Sequence, residues 1–282
     1  MTALRRNAQG RLHPSLPLTC SAISATAGTF GEGGLGMDEL QRSIVDLVIA
    51  NRILAHEDVV DAYGHVSIRH PQRPDRYLLS RSLSPELVTK DDILEFQLDG
   101  APVGDARPPY LERFIHGAIY EARPDVNAVV HSHAEDILPF SISRTRLCCV
   151  AHVASDMGNN VPVWDIADRF GDATNLLVVN MAQGRDMARA LGPDSVVLMR
   201  GHGFSAAADS LLKLVRLSVY LPRNARILLA AMRMGEFKAL SENEIRTRTN
   251  FRAGSPEMQR AWEYWARRAG CGDMLASSKG GT

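Results

Sequence analysis

Three features that mark specialised classes of protein are absent from this sequence. No apolar run in its 282 residues approaches the roughly 20 residues that cross a bilayer. The 32 basic residues balance the 32 acidic residues, so nothing favours a nucleic acid or an anionic membrane as partner. No internal repeat appears. The composition, 45% hydrophobic, predicts a globular protein with a sizeable core.

Cysteine is scarce, with residues only at Cys20, Cys148, Cys149 and Cys271. Their spacing matches neither a zinc site nor the disulfide framework of a secreted domain. The adjacent Cys148 and Cys149 are expected to pack as small hydrophobic side chains. We therefore expect a reducing, cytoplasmic setting.

Composition divides the chain into three parts. Residues 1–36 are rich in small residues and contain no acidic residue before Glu32, a composition typical of a disordered extension, although it also faintly resembles a transit peptide. Residues 37–250 are predicted to form the main domain. Residues 251–282 are predicted to form a C-terminal helix and a flexible tail rich in glycine, serine and lysine.

The spacing of apolar residues predicts alternating helices and strands. Helices are expected over residues 38–56, 110–122, 183–191 and 209–234. Strands are expected within residues 61–70, 77–80, 91–100, 126–133, 141–153 and 176–179. Pro222 is expected to kink the last helix or to start a new one. The irregular alternation favours a mixed or antiparallel sheet covered by helices.

Two histidines follow a buried strand in the segment Val-Val-His-Ser-His, which ends at His133. Because His131 and His133 are two residues apart, both rings project from one face of an extended chain. His202, in a Gly-His-Gly turn, follows a second apolar run, and its flanking glycines allow a close approach to another element. Three neutral imidazoles can bind a divalent transition metal. The alternative for His131 and His133 is two partly buried, hydrogen-bonded histidines, and the alternative for His202 is a turn whose histidine points to water.

A carboxylate belongs to the same region of the sequence. Glu112 and His116 are four residues apart and share one face of the helix predicted over residues 110–122. This helix leads directly into the strand that carries His131. A helix that runs antiparallel to the following strand can place Glu112 near the far end of that strand. Glu112 is therefore a candidate metal ligand or acid/base, against the alternative of a solvated surface acid. The alternative for His116 is a structural role.

Glu112, the two histidines nineteen and twenty-one residues later, and His202 together resemble the class II aldolase/adducin family. The similarity covers about residues 38–240 and includes Glu-Ala-Arg-Pro-Asp-Val before the histidine pair and Val-Leu-Met-Arg-Gly-His-Gly at the third histidine. It implies an α/β fold, a three-layer α/β/α sandwich with a central, mainly antiparallel sheet, as the catalytic domain of residues 37–250. It also implies a homo-oligomer, usually a tetramer, with its active site at a subunit boundary.

The resemblance assigns His131, His133 and His202 to a divalent metal ion, with Glu112 as the carboxylate at that site. Zinc, manganese, cobalt, magnesium and iron all serve in this family. It also implies a tyrosine proton donor from the C-terminal region of a neighbouring subunit. Tyr220 is the candidate here, and a packed interface tyrosine is the alternative.

The segments that hold phosphate in the sugar-phosphate aldolases are altered. Gly-Asn-x-Ser becomes Gly-His-Val-Ser at residues 64–67, the Ser/Thr-Gly turn becomes Ser-Arg-Ser at 80–82, and a Ser-Ser pair becomes Tyr-Leu at 110–111. Phosphate needs short donors and exposed backbone N–H groups, so we expect a small-molecule carboxylate instead. Arg81 can bind a carboxylate through two parallel hydrogen bonds. The predicted substrate-binding residues are His65, Ser80, Arg81 and His116.

These altered segments resemble a carboxylate-handling branch of the family. It includes decarboxylases of 2-hydroxy-3-carboxymuconate semialdehyde or dihydroxyphthalate, and iron-dependent oxygenases of prenylated hydroxyphenylpyruvate in aminocoumarin synthesis. We predict a metal-dependent lyase, a decarboxylase in aromatic-compound breakdown whose enolate is stabilised by the metal and protonated by Glu112 or Tyr220. The alternatives are an aldolase for an unphosphorylated 2-oxo acid, a non-heme iron oxygenase, and a non-catalytic adducin-like protein.

Overall fold

A computed structural model describes residues 38–248 and 254–279. The extension predicted over residues 1–36 lies outside this part of the chain, as do residues 280–282 of the predicted tail. None of the helices within the described ranges combines the length and apolarity that crossing a membrane requires. Cys148, Cys149 and Cys271 are free thiols.

The described strands form one seven-stranded sheet in the order β3-β2-β1-β4-β7-β6-β5. They are β1 His65–His70, β2 Arg73–Ser80, β3 Ile93–Gln97, β4 Ala128–Ser132, β5 Val163–Trp164, β6 Val196–Met199 and β7 Gly203–Ala208. Every neighbouring pair is antiparallel except β5 and β6, which are parallel. The predicted mainly antiparallel central sheet is confirmed.

Helices cover both faces of the sheet. The longer ones are α1 Glu39–His56, α2 Arg113–Ala122, α5 Met181–Leu191, α6 Leu211–Met234, α8 Pro256–Arg268 and α9 Gly272–Lys279, and the shorter ones are α3 Leu138–Ile142, α4 Ala167–Phe170 and α7 Glu242–Arg248. Helix α1 begins at an N-cap, Asp38, whose side chain accepts a hydrogen bond from the Gln41 N–H, as the first orphan N–H groups of a helix require.

Successive residues of β4 face opposite helical layers. Val130 belongs to a hydrophobic cluster that includes Ile53 of α1, and the same cluster extends to α6, α8 and α9 through Leu217, Trp262 and Leu275. Val129 belongs to a second cluster that includes Ile119 of α2 and Met187 of α5. Because neighbouring strand residues point to opposite faces, β4 is buried on both sides. The predicted three-layer α/β/α sandwich is confirmed.

Two predicted strands are wrong. Residues 141–153 contain the end of α3, an irregular segment and the start of a 3-10 helix, His152–Met157. Residues 176–179 form no strand, and Leu176 at their start has a left-handed φ of 66°, which a strand does not accommodate. The alternative of a new helix starting at Pro222 is also wrong, since α6 continues through that residue.

In the irregular segment within residues 141–153, one buried side chain forms the hydrogen bonds that a neighbouring strand would otherwise supply. Asn224 of α6 accepts hydrogen bonds from the N–H groups of Val150 and Ala151, at 2.9 and 3.1 Å. Its amide nitrogen donates to the Cys148 carbonyl oxygen at 2.8 Å. Backbone groups that a strand would satisfy are therefore satisfied by one asparagine, which is fully buried.

We expect Asn224→Ala to destabilise the protein strongly, because it leaves buried backbone donors without an acceptor. The free energy of unfolding should fall by about 2–3 kcal/mol, measured as a lower midpoint of urea unfolding. Asn160→Ala removes an exposed asparagine and serves as the control. Equal midpoints for the two variants would show that Asn224 does not anchor this segment.

Candidate metal centre and adjoining cavity

The three histidines come together because β4 and β7 are antiparallel neighbours. Ser132, the last residue of β4, pairs with Phe204 near the start of β7. His133 therefore leaves the sheet beside His202, which precedes β7 in a tight turn where Gly201 has a φ of 65°. Gly203 allows the close approach, because a Cβ there would lie 2.0 Å from the Ser132 carbonyl oxygen.

The side-chain atoms of this cluster converge on one point. Nε2 of His133 lies 3.0 Å from Nε2 of His131 and 3.0 Å from Nε2 of His202. Glu112 Oε2 lies 3.5 Å from Nε2 of both His131 and His202. One ligand atom from each of the four residues lies within 4.8 Å of the others. The four side chains can therefore share a single ion.

Hydrogen bonding fixes the proton of His131. Its Nδ1 lies 3.1 Å from the Phe204 carbonyl oxygen, which only accepts, so neutral His131 carries its proton on Nδ1 and directs the Nε2 lone pair into the cluster. Neutral His133 carries only one ring N–H, so hydrogen bonding alone does not explain why its Nε2 atom contacts the Nε2 atoms of both His131 and His202. Ligand nitrogens at about 2.0–2.1 Å from one tetrahedral zinc ion are themselves about 3.3 Å apart, close to the separations in this cluster. The donor set therefore fits a divalent cation.

Burial keeps His133 neutral. Its pKa is lowered to about 4, first by burial and then by the neighbouring His131 and His202. Since a metal ligand must be a neutral imidazole, this environment suits ligation at neutral pH.

Glu112 is held by both of its oxygens. It is the N-cap of α2 rather than a residue within the helix, and Oε1 accepts a hydrogen bond of 3.0 Å from the Val178 N–H. Burial alone would raise the pKa of Glu112, but the adjacent His131 and His202 outweigh it and hold the pKa well below its usual range. The carboxylate is therefore ionised, with Oε2 directed at the histidines.

A cavity of about 560 Å³ opens beside this cluster. Its lining includes Glu112 and His133 of the cluster, together with His65, Tyr63, Tyr110 and Leu111. The exposed side chains of Tyr63 and Leu111 give one wall an apolar surface that suits a flat aromatic body. Roles for Tyr63 and Tyr110 were not predicted from the sequence. The one available signal concerned Tyr110, which is an aromatic residue two positions before Glu112.

The structure brings one of the four predicted substrate-binding residues, His65, to the cavity wall. Ser80 is fully buried and donates a hydrogen bond of 3.2 Å to the Tyr110 hydroxyl. His116 is also fully buried, with its ring hydrogen-bonded to His65. Arg81 donates from Nε to Asp92 Oδ1 at 2.7 Å. These last three are absent from the described cavity lining.

Tyr220 lies apart from the cluster, on α6. Its ring packs edge-on against Trp265, with ring centroids 5.8 Å apart, and the guanidinium groups of Arg216 and Arg223 lie 5.9 and 5.4 Å from its ring centroid. It lines a second cleft, together with residues of α8. A catalytic role across a subunit boundary involves a neighbouring chain and stays a prediction.

Comparisons with known proteins agree with this architecture. Residues 45–229 match the family model of the Class II Aldolase and Adducin N-terminal domain. The chain is 36% identical over 249 residues to decarboxylase tropJ of Talaromyces stipitatus, covering 80% of this chain and 93% of that protein. It is 27% identical over 235 residues to 3,4-dihydroxyphthalate decarboxylase of Arthrobacter keyseri, covering 77% and 90%.

A solved structure shows the same fold. An aldolase II superfamily protein from Pseudomonas syringae superposes with a TM-score of 0.69 at 22% identity, covering 82% of this chain and 94% of that one. The predicted family resemblance, including its carboxylate-handling branch, is confirmed.

Proposed function

The chain belongs to the class II aldolase and adducin family, and on that premise we propose that it is a metal-dependent carbon–carbon lyase that decarboxylates a hydroxy- or oxo-carboxylic acid. The observation that carries the proposal is the convergence of three imidazoles and Glu112 at the wall of a partly aromatic cavity. Two relatives that are named decarboxylases support it. The proposed substrates are acids from aromatic-compound breakdown, such as dihydroxyphthalate or 2-hydroxy-3-carboxymuconate semialdehyde.

His131, His133, His202 and Glu112 would hold the metal ion. Among the candidate metals, an imidazole-rich donor set favours zinc or iron over magnesium. When bound, a divalent cation supplies Lewis acidity that stabilises negative charge on a substrate oxygen.

The chain's own residues have three tasks in this proposal. Tyr63 and Leu111 hold the apolar body of the substrate and exclude water from that side. His65 binds the departing carboxylate or a neighbouring oxygen. Glu112 takes the proton of the substrate hydroxyl when the substrate binds. The carbon–carbon bond to the carboxylate then breaks, carbon dioxide leaves, and Glu112 returns the proton to the carbon that held the carboxylate. Tyr220 of a neighbouring subunit is the alternative proton donor.

Glu112→Gln keeps the shape of the side chain but removes its ability to carry a proton. We expect kcat to fall by about 10²- to 10⁴-fold, with the three histidines retaining the metal in elemental analysis. Glu121→Gln, on the exposed side of the same helix and paired with Arg185, is the control and should keep wild-type kcat. Wild-type kcat in Glu112→Gln would show that Glu112 does not transfer the proton.

A product assay tests the reaction type. The purified, metal-loaded chain is incubated with hydroxylated aromatic dicarboxylates and with unphosphorylated 2-oxo acids, while carbon dioxide, aldehyde and oxygen are followed. We expect carbon dioxide in step with substrate loss and no oxygen uptake. Aldehyde without carbon dioxide would indicate the aldolase alternative, oxygen uptake would indicate the oxygenase, and no reaction in the whole panel would favour the adducin-like alternative.

We also propose a cytoplasmic homo-oligomer, a tetramer, as the working form. The position of Tyr220 in an outer cleft beside α8 is consistent with a contact to a neighbouring subunit. Native mass measurement tests this assembly.

A further inference from the structure

A buried chain of four hydrogen-bonding side chains leads inward from the cavity. His65 Nδ1 lies 2.6 Å from His116 Nε2, and His116 Nδ1 lies 2.6 Å from Ser67 Oγ. Ser67 Oγ lies 2.8 Å from the Tyr120 hydroxyl. All four residues are at most 3% exposed. The cavity histidine is therefore connected to a phenol in the core.

The local sequence explains why these side chains meet. His65 and Ser67 are two residues apart on β1 and so face the same layer. His116 and Tyr120 are four residues apart on α2 and so lie on one face of the helix. The His116 ring also stacks on Tyr77, with an interplanar angle of 16° and centroids 6.3 Å apart. The chain of contacts thus spans the β1–α2 interface and holds the His116 ring in place.

The position of each proton follows from the available acceptors. Within the described residues, Ser67 Oγ is the only hydrogen-bond acceptor for the Tyr120 hydroxyl, so Tyr120 donates to Ser67. Ser67 then donates to Nδ1 of His116, and Nε2–H of His116 donates to Nδ1 of His65. The reverse order would leave the proton of the buried Tyr120 hydroxyl without an acceptor, which is unfavourable.

We propose that Tyr120, Ser67 and His116 are positioning residues that hold His65 as an Nε2–H donor facing the cavity. The His65 ring lies 5.2 Å from the His131 ring and 4.5 Å from the Tyr110 ring, measured between centroids. A neutral donor at this point binds an anionic oxygen of a ligand next to the metal cluster. The identification of this ligand oxygen as part of a carboxylate rests on the proposed function, whereas the position of the proton on His65 does not.

The proton on His65 can be observed directly. In the zinc-loaded protein with ¹⁵N-labelled histidine, two-bond ¹H–¹⁵N spectra distinguish a protonated ring nitrogen from one with a lone pair. The His65 signals are assigned by their loss in His65→Asn. We expect the proton on Nε2 of His65, and a proton on Nδ1 instead would overturn the proposal.

Ligand binding provides the second readout, with salicylate, a hydroxylated aromatic carboxylate, as the probe. His116→Leu removes the donor to His65, and we expect salicylate affinity to fall by about 10- to 100-fold, the value of a hydrogen bond to a charged group, with unchanged zinc content. His116→Gln supplies an amide N–H at the same place and should restore most of the affinity. Equal affinity in His116→Leu and wild type would contradict the proposal.

The two hypotheses fail in different ways. If His65 carries its proton on Nε2 but the protein releases no carbon dioxide and binds no salicylate, the proposed decarboxylase function is wrong and the positioning of His65 stands. If carbon dioxide is released but His65 is protonated on Nδ1, the positioning of His65 is wrong and the decarboxylase function stands.

Discussion

Replacement of His133 by alanine is expected to abolish both metal binding and turnover. Nε2 of His133 lies 3.0 Å from the Nε2 atom of each of the other two imidazoles, so its loss removes a ligand atom that adjoins both of them. Alanine offers no replacement donor, and the remaining ligands no longer surround the cation, so we expect metal affinity to fall by more than the roughly 100-fold cost of disturbing an outer-shell partner. The Lewis acid needed for catalysis is lost with the metal. Elemental analysis and carbon dioxide release measure the two effects.

His133 is a suitable residue for this test because its substitution spares the core. It follows β4 rather than lying within it, and its side chain is only partly buried. The circular dichroism spectrum should therefore match that of wild type. His152→Ala, at an exposed histidine, is the control and should retain metal and activity. Full turnover by metal-free His133→Ala would refute a metal-dependent mechanism.

Gly203→Ala is expected to damage both the fold and the metal site. The added Cβ would lie 2.0 Å from the Ser132 carbonyl oxygen and 3.1 Å from the His133 Cα, and backbone atoms cannot move aside cheaply. The start of β7 must then shift away from the end of β4, which carries His202 away from His133. We expect the free energy of unfolding to fall by about 1–3 kcal/mol.

The same shift should weaken metal binding by about 10- to 100-fold, the usual cost of disturbing the support of a metal ligand. Competition with a chromophoric chelator measures this affinity, and urea unfolding of the metal-free protein measures the stability. Gly272→Ala is the matched control, because a Cβ there meets no heavy atom within 4 Å and should change stability by less than about 0.5 kcal/mol. Wild-type stability and affinity in Gly203→Ala would show that the close approach of the two strands does not place His202.

The convergence of His131, His133 and His202 could be predicted because its information is local. A strand pattern followed by His131 and His133, and a glycine-flanked His202 after another apolar run, each signal a strand end. The structure brings these ends together through the pairing of β4 with β7. The sandwich follows for the same reason, since apolar periodicity marks the buried faces of helices and strands.

The missed features depend on contacts between distant residues. Nothing near Asn224 indicates that its amide replaces strand pairing for residues 148–151, which lie more than 70 positions earlier. Likewise, no local pattern indicates that the ring of His116 contacts His65, which lies 51 residues earlier in the sequence. Arg81 appeared free for a carboxylate because no local pattern indicates its ion pair with Asp92, the last residue of the 3-10 helix before β3. Such polar pairings leave no periodic signal.

The most direct test of the central claim is X-ray diffraction from crystals of the active, metal-loaded protein, recorded at the absorption edge of the metal found by elemental analysis. We predict one anomalous peak per chain, bonded to Nε2 of His131, His133 and His202. An active crystal form with no anomalous scatterer between these three rings, or with its metal bound elsewhere, would contradict it.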